Sequence, residues 1–343
     1  MVTHGRTGPP TLEQVAALAG VSRGTVSRVV NREPGVKAAT RLLVERAIDD
    51  LGYVPHHAAR ALAGHRTGAV VLVIADTERR LFAEPFYSEI VWGISGELID
   101  RDVQLILTLV RNDRERARFT RYARAGGMDG VLLVSVHDDD PLPDVLAELR
   151  LPTVLSGRRS AEETLSYVDS DNVGGARAAV RHLVATGRKA IATITGPLDM
   201  HVGQSRLRGY REAMVQAFGG VEPSWIAEGD FSEESGRRGT AELLRRQPGL
   251  DAVFAASDLM AVGALHTLRA AGRRVPEDVG VVGFDDTPFA VHTDPQLTSV
   301  HQPVKEMGRT MARMLLQGID GEDQDAAWRQ VVLPTTLVRR AST

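Results

Sequence analysis

The chain has 343 residues, 43% of them hydrophobic, with no cysteine and a formal net charge of −3. That length exceeds one ordinary domain. The lack of cysteine excludes a disulfide framework and any thiolate nucleophile or metal ligand, and no run of about eighteen apolar residues offers a membrane span. The charge is uneven: residues 1–66 hold nine Lys and Arg against five Asp and Glu, the remainder 32 against 39. A basic head on an acidic body suits a nucleic-acid-binding module joined to a sensor or assembly module.

Residues 1–10 read as a loose arm containing Gly5, Gly8, Pro9 and Pro10; they form no apolar signal segment, so a cytoplasmic protein is expected. From Thr11 to Asn31, two short apolar-periodic segments flank a tight Ala-Gly-Val. In the first, Leu12, Val15, Ala16 and Ala19 share one helical face. Thr11 and Gln14 have capping-box spacing, and Gly20 can take the left-handed turn. Ser22 caps a second helix. Its Val26 and Val29, with Val21, can pack back on Val15 and Ala16, which leaves Arg23, Gly24, Ser27, Arg28 and Asn31 outward. This is a helix-turn-helix with a small, polar and basic outer face suited to a major groove. A third helix is expected from about Ala38 to Leu51, with Leu42, Leu43, Ala47, Ile48 and Leu51 inward.

His56–Ala63 is short, Ala-rich and barely amphipathic, and eight residues do not offset helix nucleation in water. It reads as a helix that forms only on DNA, with Leu62 as an apolar wedge in the minor groove, or as a plain linker with Leu62 packed on the body. From Gly68 on, strands and helices alternate. Apolar runs at 70–75, 103–110, 130–136, 152–157, 189–196, 252–257 and 279–284 read as buried parallel strands. Helical stretches lie at 86–100, 113–125, 142–149, 172–186, 205–218, 235–246, 258–271 and 303–317. The expected class is α/β, with two similar lobes on parallel sheets and a ligand cleft beyond the strand carboxyl ends. The expected boundaries are a head over 1–55, a hinge helix or linker over 56–66, and a ligand-binding and dimerisation body over 67–343.

The whole chain resembles the lactose-repressor (LacI/GalR) family. The likeness runs through TLEQVAALAGVSRGTVSRVVN, the Tyr53-Val54-Pro55 corner and ARALAG. In the body it continues through Asp171–Ala176, His182–Arg188, Gly196 to Tyr210, Ser257–Leu265, VGVVGFDDT at 279–287, LTSVHQP at 297–303 and the LVRRAST ending. The resemblance implies that Arg23, Gly24 and Arg28 face bases, that Ser22, Thr25 and Asn31 hold phosphates, and that Leu62 is the minor-groove lever. Gly24 lacks the larger side chain of some relatives. The resemblance also implies a body like periplasmic sugar-binding proteins, with three crossovers and cleft residues Phe86, Tyr87, Arg206, Phe231, Ser257, Asp285 and Gln302. Carboxylate and guanidinium groups can grip adjacent hydroxyls, and aromatic faces can cover a sugar ring. Alternatively, Arg206 makes an inter-lobe salt bridge, Asp285 caps the following turn, and the three aromatics are core. His137–Asp140 either borders the cleft or is a solvated turn.

Neither a G-x-S-x-G elbow nor a phosphate loop nor metal-ligand histidine spacing is present, so no enzyme activity and no cofactor are expected. The expected function is a dimeric, sequence-specific transcriptional regulator. Its partners would be double-stranded operator DNA and a small sugar-like effector that releases it, with no membrane. The alternative is a corepressor-dependent regulator that takes a purine or a phosphorylated metabolite.

Overall fold

The computed structural model describes residues 10–30, 33–53, 66–76, 78–321 and 329–343. Contacts divide the chain into two units that meet at Thr67 and Gly68. Among its described residues the first unit contains three helices, Leu12–Ala19, Arg23–Val30 and Ala38–Leu51. The capping box forms: Thr11 N donates to Gln14 Oε1 at 2.8 Å, and Gln14 N to Thr11 Oγ1 at 3.4 Å. Gly20 and Gly52 end their helices at φ 65° and 61°, where a Cβ would be strained. Val15, Val26, Val29, Val44, Ala47 and Tyr53 form the core. Of the expected inward face of the third helix, Ala47 is buried and Ile48 and Leu51 pack on this core, but Leu42 and Leu43 do not. Leu42 and Leu43 are more than half exposed, whereas Val44 and Ala47 are buried. The face that meets the other two helices runs through Val44, Ala47, Ile48 and Leu51.

The described residues of the second unit form two six-stranded sheets. The strands are β1 Ala69–Ile74, β2 Gln104–Leu109, β3 Gly130–Val134, β4 Thr153–Ser156, β5 Ser166–Ser170, β6 Ile191–Thr195, β7 Ile226–Glu228, β8 Ala252–Ala255, β9 Gly280–Asp285, β10 Thr298–His301, β11 Gln330–Leu333 and β12 Thr336–Val338. The N-lobe order is β11-β5-β4-β3-β1-β2 and the C-lobe order β12-β10-β9-β8-β6-β7. All pairs are parallel except β10 with β12. Strand alternation builds two cores per sheet. Val70, Leu72 and Ile74 face helices Pro85–Leu98 and Val304–Asp320, whereas Val71 and Val73 face Phe119, Ala123, Leu142 and Leu146. The run at 103–110 is not a fully buried strand, because β2 pairs with β1 alone and leaves Leu107 exposed at the sheet edge.

The chain passes between lobes three times: after β5 at Asp171–Asn172, after β10 at Gln302–Pro303, and between β11 and β12. The returning helix Val304–Asp320 completes the N-lobe through a glycine crossing. A Cβ on Gly93 would lie 2.0 Å from Lys305 O, and one on Gly308 2.4 Å from Ile90 O. Among the described residues no helix is long and apolar enough to cross a membrane.

Candidate functional site

In the head, Arg23, Gly24 and Arg28 are exposed on one side of the second helix, and Val26 and Val29 are buried on the other. Ser22 Oγ accepts from Thr25 N at 3.2 Å and lies 3.0 Å from Thr25 Oγ1, so these two residues form the cap of that helix. Arg23 Nε is 3.0 Å from Glu13 with both side chains exposed. Water screens such an exposed pair, which hardly restrains the guanidinium. Asn31 and Leu62 lie outside the described residues.

In the body, the strand ends of the two lobes face each other across a cleft of about 730 Å³, counting the space at its mouth. Phe86, Arg206, Phe231, Asp285 and Gln302 line the cleft. Arg206 is held from every side. Nε donates to Asn172 Oδ1 at 2.9 Å, Nη1 to Ala256 O at 2.6 Å and Nη2 to Gln302 Oε1 at 3.3 Å. Nη1 is also 3.2 Å from Asp285 Oδ1, and the guanidinium lies 3.7 Å from the Phe284 ring centroid. Burial lowers the Arg206 pKa and pushes Asp285 up to about 7, each against the pull of the other. The alternative of an inter-lobe bridge does not hold for this pair, because both residues belong to the C-lobe.

Sequence reasoning missed the rest of the wall: Ser135, Arg158, Asp169, Asn172 and His201 also line the cleft. Arg158 Nε donates to Asp169 Oδ2 at 3.1 Å, and Asp169 Oδ1 accepts from Asn172 Nδ2 at 2.9 Å. Asn172 then accepts from Arg206. A continuous polar chain therefore runs from the N-lobe through the first crossover to Arg206, Asp285 and Gln302 at the second. Burial raises Asp169 against the pull of Arg158 and lowers His201. Strain concentrates here as well. Among the described residues, six non-glycines have a positive φ, and three of them, Ser135 (61°), Phe231 (68°) and Asp285 (102°), line the cleft. Such conformations cost of order 1–3 kcal/mol each and cluster at functional sites. Phe231 is further fixed by Gly196, where a Cβ would come within 2.2 Å of its ring.

Two expected cleft residues stand behind the wall instead. Tyr87 is 1% exposed; its hydroxyl donates to Asp76 Oδ2 at 2.9 Å and lies 2.7 Å from Ser135 Oγ. Its ring meets Phe86 edge-on at 5.5 Å. Ser257 caps helix Asp258–Ala270 by accepting from Met260 N, and donates to Phe231 O at 3.2 Å. Both side chains spend their polar atoms on supporting cleft residues. Asp285 does not cap the turn after β9. Asp258 does so, accepting from Thr287 N at 2.6 Å and Ser299 Oγ at 2.6 Å. The His137–Asp140 loop is no solvated turn. His137 Nδ1 is 2.8 Å from Asp199 Oδ2, and Asp138 accepts from Gln204 at 2.7 Å, so it bridges the lobes at the cleft edge. Among the described residues no group of three or more acidic or histidine side chains is placed to hold a metal.

Residues 11–56 match the family of bacterial regulatory proteins, lacI family, and residues 180–343 match a periplasmic binding protein-like domain. Over 335 residues the chain is 51% identical to the HTH-type transcriptional regulator CelR of Thermobifida fusca, across 97% of this chain and 98% of that one. The chain belongs to the lacI family. Like its relatives, this lacI-family protein is a DNA-binding transcriptional regulator. A solved complex of the transcriptional regulator CelR with cellobiose is 50% identical, covers 97% of this chain and 100% of its own, and superposes with a TM-score of 0.78. The lac repressor dimer bound to operator and the anti-inducer ONPF is 30% identical, with 98% and 99% coverage and a TM-score of 0.85.

Proposed function

We propose that this lacI-family regulator is a dimeric cytoplasmic repressor that binds a neutral disaccharide of the cellobiose type in its cleft and then releases its operator. The observation that carries the ligand class is the charge pairing of the cleft. Each arginine that lines it has a carboxylate partner: Arg80 with Asp76 and Glu84, Arg158 with Asp169, and Arg206 with Asp285. A phosphorylated ligand would need cations that are already committed. A neutral polyol meets a dense array of oriented donors and acceptors beside Phe86 and Phe231. The relative solved with cellobiose supports the same class. No observation of the cleft favours the purine alternative. Calorimetric titration with cellobiose, glucose, a sugar phosphate and a purine tests this reading. Binding of cellobiose alone supports it; a phosphate or purine binding more tightly overturns it.

The polar chain through both crossovers gives the cleft a physical route to lobe orientation. For the DNA arm, Arg28 and Arg23 are assigned to base edges, and residues 56–66 to the segment that couples lobe motion to the head. Arg28→Ala is expected to cost about 1–3 kcal/mol on the selected operator. The loss on random duplex should be much smaller. Anisotropy titrations on both duplexes check this, and equal losses would show that Arg28 reads no base.

A further inference from the structure

A charge cluster sits on the N-lobe wall of the cleft, in the short segment between β1 and helix Pro85–Leu98. Arg80 Nη1 lies 2.8 Å from Asp76 Oδ2, and Arg80 Nε 2.7 Å from Glu84 Oε1. The side chains of Arg80, Asp76 and Glu84 are 22%, 7% and 13% exposed, so water screens them little. Asp76 also accepts from the Tyr87 hydroxyl, which fixes its position. The Arg80 guanidinium lies 5.8 Å from the centroid of Phe231 in the opposite lobe, where it looks into the space a ligand would fill. One cation thus serves two carboxylates, whereas Arg158 and Arg206 are each paired with one. Burial raises the Glu84 pKa against the pull of Arg80, with the Asp230 charge adding to the rise. Arg80 itself lines the cleft, and removing it would leave two poorly solvated acids directly behind that wall.

We propose that Arg80 is a specificity-determining residue: by neutralising Asp76 and Glu84 it makes the cleft accept an uncharged disaccharide and reject one that carries an ammonium group. The inference rests on the reading of the cleft as a sugar site. Arg80 acts as a resident counter-ion. An ammonium group entering beside it meets a like charge and finds the carboxylates occupied. Without Arg80, the same two acids become an attractive partner for that group.

The decisive comparison uses two disaccharides with the same β-linked backbone, cellobiose and fully deacetylated chitobiose, in which an ammonium group replaces one hydroxyl on each ring. Both are titrated by calorimetry near neutral pH into the wild-type protein, Arg80→Gln, Arg80→Lys and Arg80→Gln/Glu84→Gln, with thermal melting to confirm folding. Wild type is expected to prefer cellobiose by at least tenfold. Arg80→Gln should shift that preference by at least tenfold towards the amino sugar. Arg80→Lys, which keeps the charge, should hold the wild-type ratio, and the double variant should move back towards it. Arg80→Gln that weakens both sugars equally, or keeps the wild-type ratio, overturns the inference while leaving the sugar site standing. Wild type that binds no neutral disaccharide overturns the sugar reading and this inference together.

Discussion

Arg206→Ala is expected to abolish measurable effector binding and to destabilise the body by about 3–5 kcal/mol, the cost of removing one partner from a buried ion pair. The guanidinium satisfies Asn172, Ala256 O and Gln302 and neutralises Asp285. Alanine leaves all four acceptors short of a donor and Asp285 without its cation. A lowered melting temperature and a flat calorimetric trace would both be expected. The companion pH dependence follows from Asp285, which burial pushes up to about 7. Its carboxyl is an acid with a raised folded-state pKa. Between about pH 4 and pH 7 the folded protein keeps a proton that the unfolded chain has lost, so this group's contribution to stability falls as pH rises through that window. A ligand hydroxyl that donates to the ionised carboxylate should bind more tightly above pH 7 than below it. Asp285→Asn should remove that dependence, and calorimetry at pH values on either side of about 7 reads it directly.

Gly93→Ala is the second large effect. The added Cβ would sit 2.0 Å from Lys305 O and 3.1 Å from Arg309 N, both backbone atoms that no side-chain rotation can move. Overpacking costs typically 1–3 kcal/mol, and a clash with backbone belongs at the upper end, about 3 kcal/mol or more. The helix crossing that docks Val304–Asp320 on the N-lobe should open, and effector affinity should fall with it. Gly96, three residues on along the same helix, has nothing within 4 Å of a built Cβ. Gly96→Ala should therefore stabilise by about 0.5–1 kcal/mol through helix propensity alone. Denaturant unfolding of the two variants side by side separates crossing geometry from propensity.

Local signals are legible in the sequence. The capping box of Thr11 and Gln14, the Gly20 turn and the alternation of strands and helices from Gly68 depend on neighbours within one or two turns. The readings that failed depend on distant partners. Leu42 and Leu43 look inward on a helical wheel together with Ala47, Ile48 and Leu51, yet Val44 takes their place in the core. Tyr87 and Ser257 sit at strand–helix junctions where a cleft residue belongs, but their hydroxyls are drawn to Asp76 and to the Phe231 carbonyl. Arg80, Arg158 and Asp169 carried no motif. Arg80 becomes a cleft residue only through Phe231, some 150 residues away, and Asp169 only through Asn172 and Arg158. A signal for the strained Phe231 was also missing, since a bulky aromatic residue seldom adopts a positive φ.

The most direct test of the account is the affinity of the full-length protein for an operator duplex, selected from random sequence, with and without saturating cellobiose. Ligand-driven release predicts at least a tenfold weakening by cellobiose, absent for a sugar phosphate and lost in Arg206→Ala. Operator binding that cellobiose leaves unchanged, or tightens, would contradict it.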